Sequence, residues 1–107
     1  MPTYNKLVRD AIPDIIRQTG KNCRTRALSA EEFRAHLQAK LREEAAEYQS
    51  ADSDPAALEE LADMLEVILA LASVHGADTD QLRTLQEAKR QQRGGFTQAV
   101  FLIDVDD

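Results

Sequence analysis

Residues 43–47 read Glu-Glu-Ala-Ala-Glu and residues 60–63 read Glu-Leu-Ala-Asp. Each acidic segment lies inside a long helical pattern, the first over residues 30–51 and the second over about 55–75. In both segments two carboxylates stand three residues apart, so they share one face of a helix and repel each other. The two segments therefore predict a pair of facing helices that concentrate negative charge between them.

Glu44 is the acid that falls among apolar positions. Phe33, Leu37, Leu41 and Tyr48 recur at helical spacing and mark an inward stripe, and at about 100° per residue Glu44 lies in its middle. A buried carboxylate needs a partner, and a hard divalent cation held by oxygen ligands from two helices would supply one. Solvated acids on Glu-rich helices are the ordinary alternative, and for Glu43 and Glu59 taken alone it is the better one. The predicted metal ligands are Glu44, Glu47, Glu60 and Asp63.

Oxygen ligands alone indicate Mg²⁺ or Mn²⁺ rather than a softer metal. A di-iron carboxylate bundle would place Glu-x-x-His on its helices. Here the corresponding positions are acidic, and the two histidines, His36 and His75, lie elsewhere in the pattern. Neither histidine is predicted to bind metal.

Length and composition describe one globular domain over residues 1–107. Hydrophobic residues make up 43% and charged residues 30%, and the formal net charge is −6. This charge disfavours a nucleic-acid-binding surface and gives no reason for an anionic membrane partner. Cys23 is the single cysteine, and the first residues lack an apolar signal core. We expect a cytoplasmic protein with no nucleic-acid or membrane partner.

Cap signals mark where the two long helices begin. Ser29 with Glu32 predicts a capping box before the first helix, and Asp54, followed by Pro55, is the predicted cap of the second.

The remaining elements complete a mainly α fold. Pro13 suits the first turn of a short helix that ends at Gly20, and a third long helix is predicted over about residues 78–93. Residues 23–28 alternate weakly, and residues 98–105 form an apolar run after two glycines. Because one strand is not stable alone, the two segments are predicted to pair as a small two-stranded β element.

The second long helix is apolar almost all round between Leu61 and Val74. A helix of this kind is buried on every side, which the other helices of so short a chain cannot achieve. We therefore expect a homo-oligomer with this helix at the interface.

Cationic residues follow the inward direction of the third long helix. Leu82 and Leu85 define that direction, and Lys89 and Arg93 fall on the same side. Inward cations near acidic helices can be structural ion pairs or phosphate ligands, and the pattern favours neither.

With these residues in view, the chain resembles the all-α nucleoside triphosphate pyrophosphohydrolase superfamily, and within it the small MazG-like, phosphoribosyl-ATP pyrophosphohydrolase-like proteins. The superfamily carries Glu-Glu-x-x-Glu, a spacer and Glu-x-x-Asp, which are residues 43–47 and 60–63 here. The likeness extends to the opening residues 4–13 and to residues 89–96 with the segment after them. Ala11 departs from it, since relatives often have lysine there, and substrate affinity or preference could differ accordingly.

The resemblance implies a helical bundle that binds Mg²⁺ through the four predicted ligands. It also implies hydrolysis of a nucleotide between its α and β phosphates, and assembly as a dimer or tetramer with sites at subunit contacts. In that reaction Glu43 is the candidate catalytic residue, as a general base or a group beside the metal ligands. The candidates for phosphate contact are Lys6, Arg9, Lys89 and Arg93.

Two other interpretations stay open at this point. The chain could be a non-catalytic helical interaction module, in which the acids form interhelical ion pairs with Lys40, Arg42, Lys89 and Arg93. It could also act on phosphoribosyl-ATP in histidine biosynthesis, which keeps the chemistry and changes the substrate.

Overall fold

The computed structural model describes residues 2–107 and contains four helices, which confirms the mainly α prediction. They are α1 (Ile12–Gln18), α2 (Ala30–Gln49), α3 (Asp54–Val74) and α4 (Thr79–Arg93). Helices α2 and α3 pack along each other as an antiparallel hairpin, because only four residues connect them. Helix α4 contacts α3 and does not contact α2 within the described residues. The acidic segments therefore face each other across the α2–α3 contact.

The capping residues explain where the helices begin. Ser29 accepts a hydrogen bond from the Glu32 backbone N–H at 3.2 Å, and the Glu32 carboxylate accepts one from the Ser29 N–H at 3.1 Å. This is the predicted capping box. The prediction of Asp54 as the cap of α3 is wrong, because Ser53 has the extended backbone and accepts from the Ala56 N–H. Asp54 is instead the first helical residue.

Two apolar side chains, Leu37 on α2 and Val67 on α3, form the buried centre of the hairpin. The rest of α3 is only partly covered. Leu61 and Leu65 lie on a stripe along the outer side of α3, and they are 43% and 49% exposed. Within residues 2–107 nothing covers this stripe, which also contains Leu58 and Ile68. The sequence pattern of a helix that is apolar all round therefore corresponds to one packed face and one uncovered face.

The predicted β element is absent from residues 2–107, and both segments run as coil. Residues 23–28 are drawn to α2 instead, because the Arg26 guanidinium donates to the Glu32 carboxylate at 2.9 Å. The second segment is interrupted at Ala99, whose φ of 53° is left-handed rather than extended. Apolar side chains after that residue are uncovered, with Phe101 80% exposed and Ile103 90% exposed. The prediction of pairing between 23–28 and 98–105 is therefore wrong for the single chain.

The single chain is also extended, with a larger surface and radius of gyration than a compact protein of its mass. Its accessible surface is 9658 Å², whereas a compact protein of 11.9 kDa exposes about 6,000 Å². Its radius of gyration is 18.4 Å, compared with about 13 Å for a compact chain of this length. No helix within residues 2–107 is long and apolar enough to cross a membrane.

Candidate metal centre

Three carboxylates meet across the α2–α3 hairpin. Glu44 and Glu47 lie one turn apart on α2, and Glu60 faces them from α3. Each contributes an oxygen atom, and the three oxygens lie within 4.8 Å of one another. Glu44 is buried at 7% exposure, Glu60 is half-buried and Glu47 is exposed. The structure therefore brings together three of the four predicted metal ligands, with the predicted buried acid at their centre.

Two oxygens of this cluster are buried and lack a hydrogen-bond partner within residues 2–107. They are Glu44 Oε2 and Glu60 Oε2. Burial, followed by the neighbouring carboxylates of Glu60 and Glu47, raises the pKa of Glu44 to about 7. Burial and the nearby charges of Glu47 and Asp63 also raise the pKa of Glu60. The three clustered carboxylates have no positive charge among them, which favours protonation of Glu44.

The donor set fits a hard divalent cation. All the ligand atoms are carboxylate oxygens, which Mg²⁺ and Mn²⁺ prefer, and the cluster contains no histidine or cysteine. A cation here would satisfy the two orphaned oxygens and neutralise the repulsion among the three acids. Charge and donor chemistry thus both match the metal that the sequence suggests.

Asp63, the fourth predicted ligand, is held in another interaction. Its Oδ1 accepts a hydrogen bond from Arg9 Nη2 at 2.6 Å. The other guanidinium nitrogen, Arg9 Nη1, lies 3.9 Å from Glu66 Oε1. Asp63 nevertheless remains near the cluster, since its charge contributes to the raised pKa values of Glu44 and Glu60. Glu66 was not singled out from the sequence, although it extends the three-residue spacing of Glu60 and Asp63 by one step.

The other predicted cations lie outside the cluster. Lys6 Nζ lies over the Tyr4 ring, 5.6 Å from its centroid. Lys89 and Arg93 are exposed near the end of α4, and Leu85 on their side is 57% exposed. Leu82, at the start of this side, is half-buried, so the predicted inward direction holds at the beginning of α4 and is wrong for Leu85, Lys89 and Arg93 in the single chain. Within residues 2–107, none of the ion pairs includes Glu44, Glu47 or Glu60.

Glu43, the candidate catalytic residue, is exposed on α2 directly before Glu44. Successive helical residues point about 100° apart, so its side chain leaves the cluster on the solvent side. Shallow grooves of about 410 and 640 Å³ lie at the α2–α3 turn and along α4. Neither is lined by a carboxylate of the cluster. These grooves therefore do not form a nucleotide pocket around the clustered carboxylates.

Comparison with known proteins finds a family match that covers the helical hairpin. The family described as "Phosphoribosyl-ATP pyrophosphohydrolase" matches residues 11–91, which include all four predicted metal ligands. An uncharacterized protein of Mycolicibacterium smegmatis is 52% identical over 54 residues, which is 50% of this chain and 55% of that protein. The chain thus spans about half the length of this curated relative. No solved structure gives a significant match.

Proposed function

The chain belongs to the phosphoribosyl-ATP pyrophosphohydrolase family, and from this premise we propose that it is a Mg²⁺-dependent nucleotide pyrophosphohydrolase. It cleaves the bond between the α and β phosphates and releases a nucleoside monophosphate and pyrophosphate. The observation that supports this most is the pair of buried, unpartnered oxygens of Glu44 and Glu60. Two such buried atoms cost the fold free energy unless a cation or a proton compensates their charge.

Four carboxylates of the chain are the proposed metal ligands in this reaction. Glu44, Glu47, Glu60 and Asp63 hold the ion, and Mn²⁺ can replace Mg²⁺ because the ligands are all oxygen. An ion bound by these carboxylates would supply positive charge against the phosphate oxygens and would lower the pKa of a water molecule. The water oxygen bonds to phosphorus while the bridging P–O bond breaks, and pyrophosphate leaves with the electron pair.

Glu43 is our candidate for the group that accepts the proton of the attacking water. It is exposed beside the metal ligands, so water and substrate can reach it. Arg9 is the phosphate-binding candidate nearest the cluster, since its guanidinium already lies against Asp63. Guanidinium groups bind phosphate with two parallel hydrogen bonds, which suits the leaving pyrophosphate.

We also propose that the active unit is a homo-oligomer. The single chain exposes about 3,700 Å² more surface than a compact protein of its mass, and a standard interface buries about 800 Å² per partner. The uncovered apolar stripe of α3 provides a contact surface. A second copy could also bring Lys89 and Arg93 to the carboxylates, which α4 does not do within its own chain. Dimer and tetramer both satisfy this argument.

Phosphoribosyl-ATP is the second candidate substrate, because the family description names it. It offers the same α–β bond, so the metal centre serves both reactions. A cytoplasmic location suits either one, where nucleotides are abundant and a single cysteine stays reduced.

The decisive experiment measures pyrophosphate release from a panel of nucleoside triphosphates and phosphoribosyl-ATP, with Mg²⁺ or with EDTA. We expect Mg²⁺-dependent release with one substrate strongly preferred. Glu47→Gln and Asp63→Asn should abolish turnover while circular dichroism shows the same helix content, and Glu59→Gln serves as a control on the polar edge of α3. Unchanged turnover in both variants would refute the assignment.

The interaction module makes the opposite prediction for these variants. If the acids served interhelical ion pairs, amide substitution would cost stability and no substrate would be hydrolysed. Its partners Lys40, Arg42, Lys89 and Arg93 form no ion pair with the three clustered acids in the described chain. The geometry therefore favours the cation over the module.

A further inference from the structure

Arg9 joins the N-terminal segment to the acidic face of α3. Its guanidinium donates to Asp63 Oδ1 at 2.6 Å and approaches Glu66 Oε1 at 3.9 Å. These two acids lie one turn apart, so the guanidinium fits between them as a charged hydrogen-bond donor. Within residues 2–107, Arg9 is the basic residue that forms an ion pair with a predicted metal ligand.

This contact distinguishes Asp63 from the other three acids. Glu44, Glu47 and Glu60 approach one another within 4.8 Å, and Asp63 is outside that group. Asp63 is close enough for its charge to act on Glu44 and Glu60. Its Oδ1, however, is already engaged by a short, charge-assisted hydrogen bond to Arg9. The metal site of the free chain is thus incomplete at one ligand, and a positive side chain stands beside that ligand.

We propose that Arg9 is an exchangeable counter-ion for Asp63, which couples phosphate binding to completion of the metal site. This inference rests on the proposed function. In the substrate-free chain Arg9 pairs with Asp63 and competes with the divalent cation for it. When a phosphate-bearing ligand arrives, the guanidinium pairs with the phosphate and Asp63 joins the other three carboxylates around the cation.

Because the Arg9–Asp63 ion pair is exposed, separating the two side chains costs little free energy. The side chains of Arg9 and Asp63 are 56% and 43% exposed, so water screens their attraction and the ion pair is weak. The phosphates of a nucleoside triphosphate together carry more charge than one carboxylate, and a phosphate accepts two parallel hydrogen bonds from a guanidinium. A phosphate ligand that removes Arg9 from Asp63 strengthens the binding of the cation. By thermodynamic linkage, the cation strengthens the binding of that phosphate ligand by the same factor. Arg9 is therefore a positioning residue for the metal site as well as a phosphate ligand.

The test measures Mn²⁺ binding to the full chain by electron paramagnetic resonance, with no nucleotide present. Arg9→Gln should bind Mn²⁺ about two- to fivefold more tightly than the wild type, the range that corresponds to loss of one exposed ion pair. The Mn²⁺ affinity of Arg9→Lys should lie between those of Arg9→Gln and the wild type, because lysine keeps the positive charge but cannot form two parallel hydrogen bonds. Arg17→Gln is the matched control, because it removes an equal charge from an exposed pair with Asp14 outside the cluster.

A double-variant comparison separates this mechanism from a general charge effect. In an Asp63→Asn background, Arg9→Gln should leave Mn²⁺ affinity unchanged, because the counter-ion then has no carboxylate to release. Equal or weaker Mn²⁺ binding in Arg9→Gln than in the wild type would overturn the counter-ion role and leave the proposed function standing. Absence of Mn²⁺ binding in both proteins, with helix content intact, would overturn the metal site itself and with it both proposals.

Discussion

Replacing Glu44 with glutamine tests the metal centre in the most direct way, because the metal-free and metal-bound proteins should respond in opposite directions. Glutamine keeps the shape of the side chain and removes its charge. In the metal-free chain the variant should be more stable than the wild type at pH 8. With Mg²⁺ present, the advantage should shrink or reverse, since the variant loses a ligand.

The magnitude follows from the pKa of the buried acid. The folded chain raises the pKa of Glu44 from 4.5 to about 7, and a tenfold change in an equilibrium constant is worth about 1.4 kcal/mol. Ionised Glu44 therefore destabilises the metal-free fold by at most about 3 kcal/mol at pH 8. Glu47 is exposed, so water screens its contribution to this pKa shift. We therefore expect Glu44→Gln to raise the free energy of unfolding of the metal-free protein by about 1–3 kcal/mol. For a chain of this length the melting temperature should rise by at least about 4 °C.

The assay is thermal unfolding at pH 8 with EDTA and with Mg²⁺. At 100 times its dissociation constant, Mg²⁺ should stabilise the wild type by about 2.7 kcal/mol, and Glu44→Gln should lose most of that gain. Glu43→Gln is the control, because Glu43 is exposed outside the cluster and should change neither value. A lower melting temperature of metal-free Glu44→Gln at pH 8 would refute the reasoning, since it would mean that protein partners already compensate the charge.

Three further outcomes follow from individual features of the fold. Glu44 keeps its proton up to pH about 7 when folded but only to 4.5 when unfolded, so the folded chain binds more protons in that window. The free energy of unfolding of the metal-free protein should then fall as pH rises from 4.5 to 7, and the stabilisation by Mg²⁺ should grow. Ser29→Ala removes the cap of α2 and should lower the free energy of unfolding in urea by about 1 kcal/mol. Ser50→Ala is its control, because the Ser50 hydroxyl has no hydrogen bond in residues 2–107. Equal free energies of unfolding for the two variants would contradict the role of the cap. Leu65→Lys puts a charge on the uncovered stripe of α3 and should give a monomer in light scattering with unchanged helix content. Glu59→Lys, on the polar edge of α3, is the control and should keep the oligomer. An unaltered oligomer in Leu65→Lys would exclude this surface as the interface.

Local signals accounted for most of what the sequence predicted correctly. The capping box of Ser29 and Glu32 lies within four residues, and it fixed the start of α2. The burial of Glu44 followed from its phase relative to Leu37 on a regular helix, which needs no knowledge of the rest of the fold. Periodicity is reliable where helices are long, because each added turn repeats the same information.

The predictions that failed depended on choices that a local pattern does not contain. Residues 52–54 offer three capping side chains in a row, and the backbone at Ser53, extended at φ −150° and ψ 159°, selects one of them. Strand pairing between residues 23–28 and 98–105 depended on a contact across most of the chain. The Arg9–Asp63 contact is also non-local, since the partners are 54 positions apart in the sequence, and this explains why the two were predicted as site residues without their pairing.

The chain departs from ordinary folding rules at two places, and each departure requires a different remedy. The buried oxygens of Glu44 and Glu60 need positive charge, which no basic side chain within residues 2–107 supplies. The outer stripe of α3 around Leu65 needs apolar cover, which the described chain does not supply either. Natural sequences tolerate such conflicts where function needs them, so a cation and a second copy of the chain are the natural remedies. Because the two remedies act on opposite sides of α3, Glu44→Gln should relieve the first conflict without affecting assembly, and Leu65→Lys should disrupt assembly without removing the metal ligands.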